Sequence, residues 1–379
     1  MQSEGLSQKS NIGYTIDQHA ISKIKEWEQN YGTMSKGELG EMKEGRDFEI
    51  LNGKTYFYRS FDPIKEFTRK WTPQQNHSLS FTGGNSKTQY NISLSYLDQK
   101  GVIKFNTDEY NRYTLHSNIT TAINKWWKVR SNILFTRSKN DQPFKFTSGQ
   151  YDAWFYLLRW PRWYPYADYE GKPFRSAVTE IKHGNRETMT SSYIRANLGT
   201  ELNPIKNLSI NFDYTFSFAN DAQKRNGGVI WAYDMFTTAP FNNYSKLYSN
   251  SDAVIQNSMY TTQHIFKGYA TYQFNLQSRH NFKLMGGFDA EKRENLGHHS
   301  KRKGLITEQL PEIALTSGEQ YAFAKGLSYH NHFAAAGFFG RINYDYFLNS
   351  AVFFLVRKFY MLRCLFGALY VDMRCFGVS

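Results

Sequence analysis

The sequence predicts an all-β fold: part of an antiparallel transmembrane β-barrel with about nine strands and long extracellular loops. Three observations predict it. Short segments alternate apolar with polar residues, the charged residues of those segments share one face, and tight turns alternate with long connections. Leu208 to Phe218 is the clearest segment, since every second residue in it is apolar. A period of two marks a strand with one dry face, which points inward in a soluble sandwich and outward in a membrane barrel.

The composition suits β-structure with aromatic girdles and gives little support to other classes. Aromatic residues make up 17% of the 379 residues, and the net charge is +13. The lysines and arginines are scattered, so we do not expect nucleic-acid binding. A basic loop surface facing anionic lipid headgroups or an acidic ligand is the simpler interpretation. Only two cysteines occur, Cys364 and Cys375, so no disulfide framework organises the fold.

Residues 1–60 are mixed and polar, and they lack the alternation of the rest of the chain. A short helix is predicted from His19 to Asn30, because Ile21, Ile24 and Trp27 recur at helical spacing. We interpret the segment as a loop or plug-to-barrel region.

Nine strands are predicted within a partial barrel at 61–346. Four hairpins join eight of them through tight polar turns, and the ninth stands without a partner. The strands span 77–82, 88–97, 112–122, 127–136, 194–202, 208–218, 264–276, 282–290 and 338–346. Long polar loops are predicted between the hairpins, at 98–110, 137–190, 219–260 and 291–336. Most strands match the roughly 9 to 11 residues that cross a tilted bilayer, and short turns opposite long loops are the layout of an outer-membrane barrel.

Charge and ring placement support the same fold. A cation that faces lipid at the bilayer midplane costs about 2 to 4 kcal/mol, whereas a polar lumen tolerates it. The residues on the face opposite the apolar residues are Lys128, Arg130, Arg195, Glu201, Asp213, Lys267, Lys283, Asp289, Arg341 and Asp345. Aromatic residues near strand ends are expected at the two headgroup levels. They are Tyr90, Tyr96, Trp126, Trp127, Phe135, Tyr193, Phe218, Tyr344 and Tyr346.

Two stretches carry a family resemblance. The first runs from Gln75 to Ile103, through a Gly83-Gly84 hairpin and a Tyr-Leu-Asp-Gln-Lys-Gly run from Tyr96 to Gly101, and it continues at 110–113 and 127–129. The second is Phe339 to Tyr346. In these stretches the chain resembles the SusC/RagA family of TonB-dependent outer-membrane transporters.

The resemblance implies a 22-stranded barrel closed by an N-terminal plug. It also implies import of glycans or other nutrients, with energy passed through the TonB complex and a SusD-like surface lipoprotein as partner. No plug or TonB box is recognisable ahead of residue 60, so we expect the plug that contacts TonB to lie outside this chain. The sequence therefore predicts part of an importer in the cell outer membrane, bound by membrane lipid and taking an oligosaccharide or peptide ligand. A secreted or surface carbohydrate-binding β-sandwich is the alternative.

The alternation stops after Tyr346. Residues 347–379 contain both cysteines and no period-two pattern, so we interpret them as an aberrant tail such as a frameshift would produce. A transmembrane helix over 351–371 is the alternative. Arg357, Lys358 and Arg363 would interrupt that helix at about 2.5 to 3.5 kcal/mol each near its centre.

A ring-rich loop at 151–175 is the predicted ligand site. Flat rings stack on sugar faces while polar neighbours hold hydroxyl groups, and interfaces with a lid subunit or ordinary loop packing use the same residue types. The predicted ligand-binding residues are Trp154, Arg159, Trp160, Trp163 and Tyr164.

The sequence gives weaker support to a metal site or a catalytic site. The pairs His298-His299 and His330, His332 could bind a metal, but no further ligands accompany them, so we interpret them as solvated loop histidines. Catalytic and dinucleotide-binding motifs are absent from the sequence, so neither an enzyme nor a cofactor is expected.

Overall fold

A computed structural model describes residues 17–32, 36–143, 161–184, 186–226, 230–235, 240–246, 253–277, 280–307, 309–318, 320–322, 328–346, 358–365 and 368–372. Helices are few and short. They are α1 (Gln18–Tyr31), α2 (Lys36–Leu39), α3 (Pro63–Phe67) and α4 (Ala177–Lys182), with 3-10 turns at Pro240–Asn242 and Ile313–Leu315. None of the helices in this part of the chain has the length and apolar character to cross a bilayer.

The first helix confirms the prediction for His19 to Asn30. Asp17 caps its N-terminus by accepting a hydrogen bond from the Ala20 amide at 3.0 Å. Ile24 and Trp27 lie on its buried face, as their helical spacing predicts.

Sixteen strands make up the rest of the described structure. They are β1 (Phe48–Leu51), β2 (Lys54–Phe57), β3 (Gln74–Gly84), β4 (Thr88–Lys100), β5 (Glu109–Ala122), β6 (Trp127–Pro143), β7 (Arg186–Leu202), β8 (Leu208–Asn226), β9 (Trp231–Tyr233), β10 (Tyr244–Lys246), β11 (Val254–Leu276), β12 (His280–Arg302), β13 (Gln320–Ala322), β14 (Tyr329–Tyr346), β15 (Lys358–Leu365) and β16 (Ala368–Asp372). β1 and β2 form one antiparallel hairpin, and β9 and β10 form another.

One 12-stranded antiparallel sheet dominates the molecule. Its order is β16-β15-β14-β12-β11-β8-β7-β6-β5-β4-β3, with β13 beside β12. All nine predicted strands belong to it, and they are neighbours in chain order. The all-β, antiparallel prediction is therefore confirmed, and the sandwich alternative is wrong because these strands form one continuous sheet rather than two packed layers.

The predicted loop boundaries are wrong, because the strands stay paired well beyond the alternating segments. β11 and β12 each contain 23 residues, and their register runs without a break from Val254 paired with Arg302 to Leu276 paired with His280. The long connections shrink to 101–108, 144–185, 227–253 and 303–328. Beyond the apolar zone the backbone hydrogen bonds of the ladder continue while the side chains become polar, so periodicity alone misses these extensions.

The 347–379 segment contains two short strands. β15 pairs with β14 and β16 pairs with β15, so the tail extends the sheet at 358–365 and 368–372. The transmembrane helix proposed as an alternative for this region is wrong at these residues. A frameshifted origin for the tail stays a prediction.

The Gly83-Gly84 hairpin shows why glycine stands at the first turn. Gly84 has φ of 151°, and a Cβ added there would lie 2.8 Å from the Gln89 Cα. The turn is closed by Asn85, whose side chain accepts hydrogen bonds from the Lys87 and Thr88 amides at 2.8 and 2.9 Å. A side chain at position 84 would therefore open the hairpin.

The sheet has one apolar face and one polar face, and the apolar face is the exposed one. Leu198, Phe338 and Ile342 on the apolar face are 54%, 68% and 53% exposed. In contrast, Asn211 and Thr215 on the polar face are buried. A water-soluble sheet has the opposite arrangement, so the apolar face requires an apolar surrounding.

The register confirms the predicted segregation of charge. Directly paired residues point to the same face, and the pairing places all ten predicted charged residues on the polar face. On the apolar face, the interval free of charged residues runs from Trp127 to Phe135 on β6 and from Phe282 to Ala290 on β12. Both intervals match the roughly 9 to 11 residues of a bilayer crossing.

Aromatic rows border this interval. Near the short turns, Phe282 lies between Phe274 and Tyr344, with ring centroids 5.0 and 4.9 Å away. Near the long connections, Tyr96 and Tyr113 lie 4.8 Å apart. These are the headgroup-level rows that the sequence predicts. Tyr193 is a correction: its odd position on β7 pairs it with Thr136, which places it on the polar face.

Candidate functional site: the loop cap and the polar face

A compact layer covers the end of the sheet that carries the long connections. We call it the loop cap, and it comprises residues 17–32 and 36–67 together with connections 101–108, 161–184, 230–235 and 240–246. Backbone hydrogen bonds tie its parts together, from the Phe61 amide to the Arg162 carbonyl at 3.0 Å and from the Met42 amide to the Asp168 carbonyl at 2.8 Å. Apart from Pro143, Ala253 and Val254, every buried apolar side chain of the described residues lies in this cap.

Rings from the β1–β2 hairpin and two connections form the largest core of the loop cap. Phe48, Phe57, Phe174 and Tyr233 are almost completely buried. Phe241 packs among them, 4.4 Å from Phe48 and 5.8 Å from Phe174 between ring centroids. Because these residues come from β1, β2, the 161–184 connection and the 230–246 region, the core fixes the connections to one another.

Asp47 is the electrostatic centre of the cap. Its side chain is completely buried and accepts hydrogen bonds from the Trp27 indole at 3.2 Å, the Lys43 amide at 2.9 Å and the Arg46 guanidinium at 2.9 Å. The buried Arg59 guanidinium lies 3.8 Å away and also donates to the Gly40 carbonyl at 2.9 Å. Burial lowers the pKa of Arg59, while Asp47 opposes that shift. The carboxylate and its donors therefore stabilise each other.

Glu66 is a second buried acid of the cap. Glu66 accepts a long hydrogen bond from the Tyr166 hydroxyl at 3.4 Å. Burial raises the pKa of Glu66 above its usual value near 4.5 and raises the pKa of Tyr166 as well. Tyr58 shows the same effect, since burial raises its pKa to about 12 while its hydroxyl donates to the Phe48 carbonyl.

Two of the predicted ligand-binding residues can be placed. Trp163 is half-buried against the cluster of Ile24, Trp27 and Tyr58, and Tyr164 is half-buried against the Phe48 core. The structure brings them into the same cap but gives both a packing role, which was one of the alternatives. Trp154, Arg159 and Trp160 lie outside the described residues. Ligand contact by the five residues stays a prediction.

An exposed aromatic pair on the cap was not identified from the sequence. Trp231 and Tyr244 are 49% and 36% exposed, and their ring centroids lie 6.0 Å apart on the β9–β10 hairpin. Lys172 places its ammonium group 5.1 Å from the centre of the Tyr244 ring. Strands of three residues are too short to show an alternation, so periodicity could not have predicted this hairpin.

The polar face carries a row of charges with alternating sign. Arg130, Asp213, Lys267 and Asp289 occupy one continuous line of paired positions across five strands, with Gly199 between Arg130 and Asp213. Opposite charges in facing positions stabilise a sheet, typically by about 0.2 to 1 kcal/mol per pair. The sequence predicts the face of each of these charges, but only the register shows that they meet.

Asparagine side chains line the next row of the polar face. Asn91, Asn118, Asn132 and Asn197 occupy successive paired positions. Asn197 donates to Thr215 at 2.8 Å, and Asn132 donates to Asn118. The row therefore presents a continuous set of donors and acceptors, as expected for a surface that contacts water, polar protein or ligand.

The histidine pairs lie in strands rather than in a solvated loop, and this corrects the sequence-based placement. His298 and His299 belong to β12, while His330 and His332 belong to β14. His299 shares a hydrogen bond with the Asn257 side chain. Among the described residues, no group of three or more His, Cys, Asp or Glu side chains is placed to hold a metal.

The comparisons with known proteins agree with this geometry. No protein-family model matches the chain. TonB-dependent receptor P3 of Formosa agariphila is 24% identical over 308 residues, which cover 75% of this chain and 28% of the receptor. The RagAB peptide importer in its open-open state superposes with a TM-score of 0.60 at 18% identity, over 81% of this chain and 33% of the importer chain. Its closed-closed state gives the same score and identity over 96% and 38%.

The sheet has the fold of a section of an outer-membrane β-barrel, as in the RagAB importer. The resemblance seen at the Gly83-Gly84 hairpin is thereby confirmed for the fold, and so is the outer-membrane location. The chain spans about a third or less of the length of the first relatives in each comparison. In an outer-membrane β-barrel the outward apolar face contacts lipid and the polar face lines the lumen.

Proposed function

We propose that the chain forms part of a TonB-dependent importer that captures a nutrient at its loop cap and passes it along the polar face of the barrel. One observation carries the proposal: an exposed apolar band of bilayer height, backed by a polar face and covered at one end by a packed loop layer. The band anchors the sheet in lipid, and the polar face offers hydrogen-bond partners along the route. The likeness to TonB-dependent receptor P3 supports the same role.

The ligand and partners follow from the same proposal. An oligosaccharide or a peptide is the ligand class, a SusD-like surface lipoprotein covers the loop cap, and the TonB complex acts through a plug outside this chain. The structural neighbour RagAB is a peptide importer, which supports the importer class. The choice of glycan as ligand rests on exposed rings and not on that neighbour.

Topology provides the first test. An epitope inserted beside Ile306, which is 67% exposed in the 303–318 connection, should be accessible to antibody on intact cells. The matched insertion beside Ile205, which is 61% exposed in the turn at 203–207, should be accessible only after the outer membrane is permeabilised. Equal accessibility of both epitopes would reject the barrel orientation.

Uptake provides the second test. Cells that carry the complete transporter should accumulate a fluorescently labelled oligosaccharide or peptide library, and accumulation should stop when the proton-motive force is dissipated. Deletion of connection residues 161–184, which leaves every strand of the sheet in place, should have the same effect while outer-membrane insertion is retained. Uptake that persists without the proton-motive force would contradict the TonB-dependent mechanism.

A further inference from the structure

The exposed rings of the β9–β10 hairpin form a platform that the cap core holds in place. Trp231 and Tyr244 lie on one face of the hairpin, and Tyr233 on the same face is almost completely buried. Tyr233 packs 5.2 Å from Tyr244 and 5.5 Å from Phe174 between ring centroids. The exposed rings therefore rest on a fixed ring layer, and a ligand that contacts them pays little to order them.

The outer edge of β9 is already occupied. The Tyr233 amide donates to the Pro173 carbonyl at 2.9 Å, and the Arg175 amide donates to the Tyr233 carbonyl at 2.9 Å. A peptide that binds by strand addition needs free backbone groups at such an edge. The contact surface offered here consists of ring faces, which favours a ligand with flat apolar faces over an extended peptide.

A cation completes the platform. Lys172 is exposed, and its ammonium group lies 5.1 Å from the Tyr244 ring centre and 5.9 Å from the Tyr233 ring centre. The cation–π contact holds the ammonium beside the rings while leaving its remaining donors directed to solvent. The net charge of +13 raises the local concentration of anions around the whole chain.

We propose that Trp231, Tyr244 and Lys172 form a subsite for an acidic sugar residue, one that carries a carboxylate or sulfate group. The two rings contact the C–H face of the sugar, and the Lys172 ammonium pairs with its anionic group. The inference rests on the proposed import function and names the ligand class of the loop cap.

Calorimetry on the chain refolded in detergent micelles tests the subsite. The probes are an oligogalacturonate and a neutral galacto-oligosaccharide of the same length. We expect the acidic probe to bind more tightly, Trp231→Ala to weaken its binding about tenfold, and Trp231→Phe to restore most of it. Lys172→Gln should weaken binding of the acidic probe and leave the neutral probe unchanged.

Trp126→Ala is the matched control, because Trp126 is 47% exposed but lies at the short-turn end of the sheet. It should change neither affinity. Equal binding of the two probes, no effect of Trp231→Ala, no saccharide binding, or tighter binding of polyglutamate would each overturn the subsite. The epitope test above depends on none of these results, so the two proposals fail separately.

Discussion

At the scale of single residues, the loop cap depends most on Asp47. Its carboxylate compensates the buried guanidinium of Arg59 and satisfies the Trp27 indole, while no water-exposed surface remains on the acid itself. A buried charge whose partner is removed is costly, because it loses its pair without regaining solvent.

We expect Asp47→Asn to lower the free energy of unfolding of the cap by about 3 kcal/mol. Denaturant titration in detergent, followed by tryptophan fluorescence, measures this change. Glu26→Gln is the control, because Glu26 forms an exposed pair with Lys23 at 3.3 Å on the same cap. That change should cost less than about 1 kcal/mol, and equal costs would show that Asp47 is not the centre of the cap.

The acid Glu66 predicts how the cap responds to pH. Its pKa is raised in the folded state, so the folded cap binds this proton more tightly than the unfolded chain. The contribution of Glu66 to stability should therefore be fully present below the ordinary pKa near 4.5 and should be lost as pH rises from there through the raised pKa. Protection factors of the 161–184 amides, which correct exchange for its intrinsic rise with pH, should fall across that range in the wild type and not in Glu66→Gln. If Glu66→Gln showed the same pH dependence as the wild type, Glu66 would not be its cause.

At the scale of elements, Gly199 allows two charges to meet across an intervening strand. Arg130 and Asp213 flank it on β6 and β8, and their side chains approach to 3.4 Å above the glycine. A Cβ at position 199 would lie 3.1 Å from the Arg130 Nε and would also contact the Asp213 carboxylate. The glycine is therefore required by the space between these side chains.

Gly199→Ala should destabilise the sheet by about 1 to 3 kcal/mol, because overpacking separates the charged pair. The matched control is Gly286→Ala on β12, where nothing lies within 4 Å of the added Cβ. Heat-modifiable mobility in detergent reports the midpoint of unfolding for both variants. Equal midpoints would mean that the sheet relaxes around residue 199 at no cost.

The strands show how far sequence reasoning reaches at this scale. Leu208 to Phe218 is predictable because lipid on one side and a polar lumen on the other impose a strict period of two. The end of β12 cannot be predicted in this way. Lys292 and Glu294 lie on the apolar face beyond the lipid zone, so they break the alternation although the backbone pairing continues. The loop cap is harder still to predict from the sequence. Asp47, Trp27 and Arg59 meet through tertiary packing, and no regular spacing in the sequence relates them.

At the scale of the whole molecule, the described strands of the large sheet enclose no buried apolar core. Buried apolar residues are concentrated in the loop cap, and the described ends of the sheet, β3 and β16, each pair with one neighbour. Unpaired edges and an exposed apolar face are both unfavourable in water.

We therefore expect the chain to aggregate in plain buffer and to keep its β-structure only in detergent or lipid. Light scattering and circular dichroism with and without detergent measure this dependence. A monodisperse chain with native β-content in plain buffer would contradict the membrane assignment.

Two neighbouring phenylalanines give the sharpest test of which face meets lipid. Phe338 and Phe339 are adjacent on β14 and identical in chemistry, but they lie on opposite faces, with Phe338 68% exposed on the apolar face and Phe339 paired with Gly287 on the polar face. Phe338 also lies about midway along the lipid zone that begins at Tyr344. Lysine at position 338 should cost about 2 to 4 kcal/mol in a bilayer, because the cation has no water to reach.

A lysine at position 339 faces the lumen. It should therefore lower the free energy of unfolding by less than a lysine at position 338, and only through lost packing. A water-soluble sheet predicts the opposite order, since an exposed phenylalanine is replaced by lysine at little cost in water. Urea unfolding of Phe338→Lys and Phe339→Lys in lipid vesicles compares the two directly. If Phe339→Lys proved the more damaging variant, the apolar face would not be the lipid face, because only a water-filled surrounding reverses that order.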